Sequence, residues 1–132
     1  MQVHQNISLQ QYNTFGIDVK AKLFADFSSV EKLQEILAYA RQLSPNTQKL
    51  ILGGGSNLLF TKDVDGFVLK NEIGGIEQIK EDEEFVFLRA GAGVNWHSFV
   101  QYCVKQNLGG AENLSLIPGN VGASPMQNIG AY

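Results

Sequence analysis

Two stretches of this sequence carry residue types suited to holding a ligand through the backbone. One is Gly53, Gly54, Gly55, Ser56 and Asn57; the other runs from Ile117 through Pro118, Gly119, Gly122, Ala123, Ser124, Gln127, Asn128, Gly130 and Ala131 to Tyr132. Glycine has no Cβ, so its N–H can approach an anionic or planar group closely. Neither stretch contains Lys or Arg, so an anion there would be held by oriented N–H dipoles instead of point charges. That suits a cofactor kept in place. It suits an exchanging triphosphate less well, because such sites carry a lysine and a magnesium ligand.

The first stretch follows the apolar run Lys49–Leu52, which reads as a buried strand and places the glycines at its carboxyl end, where open α/β sheets bind ligands. It is not a P-loop, lacking Gly-Lys-Ser/Thr, and Leu58 stands where a dinucleotide fingerprint needs its third glycine. A tight strand-to-strand turn needing positive φ explains the same glycines without any ligand. In the second stretch Pro118 and Gly119 mark a turn. Ser124 before Pro125 reads as an N-cap with proline at the first helical position, which would aim free N–H groups at whatever precedes it. Gln127 and Asn128 offer amides to a heterocycle or ribose. An irregular loop packed on its own core remains the alternative.

Other reactive residue types are sparse. Cys103 is the sole cysteine and shares helical spacing with Trp96, Phe99 and Val100, the pattern of a core thiol. His4 and His97 are isolated, and His97 falls near a helix start with a structural role. Glu81, Asp82, Glu83 and Glu84 form an acidic tetrad that reads as a solvated turn. With 132 residues, 44% hydrophobic and 17% charged, the chain has the composition of a globular domain. A net charge of −3 with no basic stripe argues against a nucleic-acid partner. The polar start lacks a signal-peptide layout, and no apolar run approaches the ~20 residues of a membrane span. A cytoplasmic protein without membrane association is expected.

The elements that must position these residues follow from periodicity. Leu23–Phe27 alternates as a strand. Ser28 and Glu31 form a capping box for a helix carrying Val30, Leu33, Ile36, Leu37 and Ala40, ended by Ser44 and Pro45. With Lys49–Leu52 this makes a right-handed βαβ unit. Phe67–Lys70 reads as a further strand, and a change of character near Asn71 divides residues 1–70 from 71–132. Beyond it, Ile76–Lys80 and Phe85–Ala90 form a hairpin across the tetrad. A helix follows from about Asn95 to Gln106, with Asn107 or Gly109 as left-handed cap.

Four motifs in order carry a resemblance: Asn13-Thr-Phe-Gly-Ile17, the run Ile51–Leu59, Gly91-Ala-Gly93 with Asn95-Trp-His97, and the run Asn113–Tyr132. Together they resemble the amino-terminal part of the UDP-N-acetylenolpyruvoylglucosamine reductase family, flavoenzymes of peptidoglycan precursor synthesis. The resemblance covers the chain from about Leu9 to the end. It implies an α+β fold, the FAD-binding domain of the vanillyl-alcohol-oxidase (PCMH) type, with two α+β subdomains and the second incomplete. It implies that Gly53, Gly54, Gly55, Ser56 and Asn57 bind the FAD diphosphate. Ile117, Pro118, Gly119, Gly122, Ala123, Ser124, Gln127, Asn128, Gly130 and Ala131 would line the diphosphate, adenosine and flavin, with Tyr132 on the flavin's substrate side. In the intact enzyme NADPH is the co-substrate, and hydride passes through FAD to the enolpyruvyl double bond of a UDP-sugar while an acid protonates the neighbouring carbon. Family members continue well past this length, and their proton-donating serine, assisting arginine and glutamate belong to the further part. No residue here matches those three, so none is assigned as catalytic. The chain alone is expected to be inactive, and to self-associate through edges that missing strands would cover. A nucleotide-binding module without redox chemistry is the alternative reading.

Overall fold

The computed structural model describes residues 2–130. It divides into two compact units, one ending at Glu72 and the other beginning at Ile73.

The first unit is built on a four-stranded sheet in the order β1-β2-β4-β3, from β1 (His4–Ser8), β2 (Lys20–Phe27), β3 (Lys49–Leu52) and β4 (Val64–Asn71). β1 runs antiparallel to β2, whereas β4 is parallel to both β2 and β3. Phe67, Val68 and Leu69 are consecutive and all buried. Such a run fits a central strand covered on both faces. On one face Leu9, Val19, Ala21, Phe24, Leu52 and Val68 form a cluster, with Tyr12 stacked at 4.8 Å on Phe24. The helix α1 (Val30–Leu43) buries Ile36 and Ala40, and its Tyr39 meets the Phe67 ring edge-on at 6.5 Å.

The cap of α1 differs by one residue from the expected box. Ser29, extended at φ −152° and ψ 166°, is the N-cap, and its hydroxyl accepts the Lys32 N–H. Ser28 instead accepts from the Lys32 ammonium. Glu31 lies in the first turn, and its carboxyl is held below the ordinary value by its backbone hydrogen bond and by Ser29. The βαβ expectation is also refined. β2 and β3 are parallel but not neighbours, because β4 inserts between them.

The second unit holds a two-stranded hairpin, β5 (Ile76–Glu81) and β6 (Val86–Ala90). Glu81 of the acidic tetrad ends β5 and the other three lie in the turn, where Asp82 Oδ1 accepts the N–H groups of Glu84 and Phe85. The helix α2 (Trp96–Lys105) follows, capped by Asn95, whose side chain accepts the Ser98 N–H at 3.0 Å. It buries Trp96, Val100 and Cys103. Burial raises the Cys103 thiol above its ordinary value, as a core thiol requires. Asn107 takes the left-handed conformation at φ 57° just after the helix.

Candidate functional site

In the first unit the glycine stretch occupies the whole bend at the carboxyl end of β3. Since β3 and β4 are parallel neighbours, residues 53–63 must travel back along the sheet, which excludes the tight-turn reading. Gly55 is buried at φ +69°, and a Cβ there would overlap the Tyr12 carbonyl oxygen. Its own carbonyl accepts the Thr14 N–H at 3.1 Å. Gly53 differs: nothing lies within 4 Å of where its Cβ would be. Among the described residues no acceptor takes the N–H of Gly53, Gly54, Ser56 or Asn57. An open row of backbone donors with no side chain in the way fits the diphosphate of a dinucleotide cofactor.

The segment supporting that bend was quoted in the sequence only as a motif. Asn13 is a buried amide with three backbone partners. Its Nδ2 donates to the carbonyls of Leu9 (2.8 Å) and Ile17 (3.0 Å), and its Oδ1 accepts the Ile17 N–H (3.0 Å). A turn closed by the Gly16 N–H on the Asn13 carbonyl presents Thr14 to Gly55.

In the second unit, residues 119–122 lie along the turn between β6 and α2. Trp96 N–H donates to the Gly119 carbonyl, Val121 N–H to Val94, and Gly122 N–H to Ala92, around an antiparallel bridge of Asn95 with Asn120. A Cβ at Gly122 would stand 2.6 Å from Ala92 Cβ, so this glycine permits close packing. The N–H groups of Gly122 and Ala123 are thereby committed within the chain, and these two residues can offer a ligand surface but no donor. Ser124 is not an N-cap. At φ −57° and ψ −39° it is already helical, in the short α3 (Ser124–Gln127), and its hydroxyl donates to the Val121 carbonyl at 2.8 Å. Pro125 does occupy the first turn.

Ile117 is half-buried, Pro118 exposed, and Gly119 buried at φ +111°. Gln127 is half-buried and Asn128 exposed at φ +51°, and neither side-chain amide has a hydrogen-bond partner among the described residues. Gly130 has φ +85°. Ala131 and Tyr132 lie outside the described residues. The start of the segment is held from α2: Trp96 Nε1 donates to the Leu114 carbonyl at 2.8 Å, and His97 Nδ1 accepts the Leu116 N–H at 3.3 Å. Leu116 stands at φ +63°, a strained position for a non-glycine residue. No spacing rule announces these supports; buried Asn13 and strained Leu116 are visible only in three dimensions.

The described residues thus form an α+β protein, with a glycine bend on a mixed sheet in one unit and a hairpin with a helix in the other. The family described as FAD binding domain matches residues 21–132, and the chain belongs to it. The particular relatives are UDP-N-acetylenolpyruvoylglucosamine reductases. The one from Flavobacterium johnsoniae is 52% identical over 132 residues, covering all of this chain and 38% of that protein. Another, from Bacteroides fragilis, is 52% identical over 130 residues, and one from Pseudomonas fluorescens is 50% identical over 132. The chain thus spans 38% of the length of these curated relatives. A solved structure of the same reductase from Thermus caldophilus superposes with a TM-score of 0.66 at 23% identity, over 94% of this chain and 41% of that one. The fold class is that of the FAD-binding domain, α+β, and FAD is its cofactor.

Proposed function

We propose that the chain is the FAD-binding part of a reductase that uses NADPH to convert UDP-N-acetylglucosamine enolpyruvate to UDP-N-acetylmuramate in the cytoplasm. The open donor row at Gly53–Asn57 carries the reading, and the relatives at about 50% identity support it. The two FAD-binding subdomains are residues 1–70 and 71–132. Gly53, Gly54, Gly55, Ser56 and Asn57 hold the diphosphate. Ile117, Pro118, Gly119, Gly122, Ala123, Ser124, Gln127, Asn128, Gly130, Ala131 and Tyr132 line the cofactor. When bound, FAD supplies two-electron chemistry between a nicotinamide and an activated alkene. The chain's own contribution is to bind and orient. Its partner is the UDP-sugar enolpyruvyl ether, and the 132-residue chain alone self-associates through exposed strand edges. The 132-residue chain alone is inactive.

The test compares this chain with the complete reading frame that contains it. NADPH oxidation is followed with the enolpyruvyl sugar nucleotide after incubation with FAD. The complete protein is expected to turn over, and the 132-residue chain is not. Turnover by the short chain would refute its inactivity alone, while a complete protein that never takes up flavin would refute the functional reading.

A further inference from the structure

We propose that the Asn13–Gly16 turn is the positioning element of the diphosphate bend, acting through the single hydrogen bond from Thr14 N–H to the Gly55 carbonyl. The inference rests on the diphosphate reading of Gly53–Asn57. Within residues 53–57 no other hydrogen bond ties the bend to the rest of the described chain, although Leu52 before it is buried and Leu58 after it packs on the core cluster. Gly53, Gly54, Ser56 and Asn57 give no N–H to the rest of the described chain, and Gly54 and Asn57 are exposed. Gly55 is the anchored member, seated on the Tyr12 carbonyl and tied to Thr14 at 3.1 Å.

Thr14 is itself fixed from below. Asn13 closes residues 9–17 on itself through Leu9 and Ile17. Leu9, fully buried, is tied by its N–H to the Val19 carbonyl at 2.7 Å. The chain of support therefore runs from the sheet core through Leu9, Asn13 and Thr14 to Gly55, and it ends beside the open donors. A ligand that must meet several N–H groups at once gains when those groups are already aimed, because ordering them on binding subtracts from affinity.

The tether can be cut without disturbing the turn. Thr14 is the second residue of a turn whose fourth residue is Gly16, and neither Thr14 nor Phe15 has positive φ. Proline is favoured at that place. Asn13 is extended at φ −137° and ψ 142°, the conformation a following proline requires. Thr14→Pro thus removes one N–H and little more. In the complete protein, titration with FAD and with ADP is expected to show affinity falling severalfold, because the donors are no longer aimed before binding, while the ligand-free unfolding midpoint drops only by what one lost hydrogen bond accounts for. A merely structural role of Thr14 would lower the unfolding midpoint and leave FAD and ADP affinity, measured well below that midpoint, unchanged. Replacing Thr14 by its α-hydroxy acid, which deletes the N–H and keeps the side chain, gives the same result if proline misfolds the chain.

Gly53→Asp separates the two ideas by setting a negative charge in the open space of the bend. If it weakens FAD and ADP while both Thr14 variants bind as wild type, the diphosphate reading stands and the positioning role is overturned. If Gly53→Asp leaves both affinities unchanged, the diphosphate reading falls and the inference with it.

Discussion

Gly53 and Gly55 are two positions apart and face opposite constraints. Gly55 needs its missing Cβ for the fold, being at φ +69° against the Tyr12 carbonyl, whereas Gly53 has open space around it. Gly55→Ala is therefore expected to cost about 2–4 kcal/mol, from left-handed backbone strain and a clash that the backbone must relieve. Gly53→Ala should leave stability within about 1 kcal/mol and weaken FAD, since the added methyl enters the space proposed for the diphosphate. Denaturant unfolding with FAD titration of both variants checks this; a Gly55→Ala protein as stable as wild type would contradict it. Alanine at Gly122 is a poor probe of ligand binding, because the 2.6 Å approach to Ala92 makes it a packing change first. The sequence revealed a glycine cluster but could not rank its members. Which glycine is needed by the fold depends on Tyr12, a residue distant in sequence, and nothing local encodes that contact.

Elements with strong local periodicity were the legible ones. The stripe from Val30 to Ala40 predicted α1, and Asn107 ended α2 as expected. Adjacent serines at 28 and 29 have the same chemistry, so the cap could be mistaken by one residue until the backbone showed Ser29 extended. Strand order was beyond reach, since the insertion of β4 between β2 and β3 rests on pairing of residues far apart in sequence. The hairpin was anticipated, but not how little of it is covered. Ile79, Phe85 and Phe87 are exposed, and Phe85 and Phe87 pack only loosely on each other at 6.5 Å. A two-stranded sheet with open edges and exposed aromatics favours pairing with a second copy. Sedimentation of the 132-residue chain should show concentration-dependent association, reduced by Phe87→Lys. A monomer at all concentrations, or a variant that associates as strongly, would count against the hairpin as the contact.

At the scale of the whole molecule, the two units differ in how their sheets are sustained. In the first, β4 is buried on both faces and flanked on both sides, with α1 covering Phe67. In the second, no residue of β5 or β6 is buried, and the buried side chains come from α2 together with Asn120. A hairpin with one face only half-covered, by Val86, Leu88 and Ala90, is marginal in water, and local opening free energy follows buried contacts. Amide hydrogen exchange should therefore be slowest in β2 and β4, and faster in β5 and β6 by about two orders of magnitude or more. The ion pair between Arg89 and Glu77 does not alter this, since both side chains are mostly exposed and such pairs contribute little. The measurement is best made at low protein concentration, where association would not protect the hairpin. Equal protection of β4 and β6 under those conditions would mean that the hairpin opens only with the rest of the molecule, and the division of stability argued from burial would be wrong.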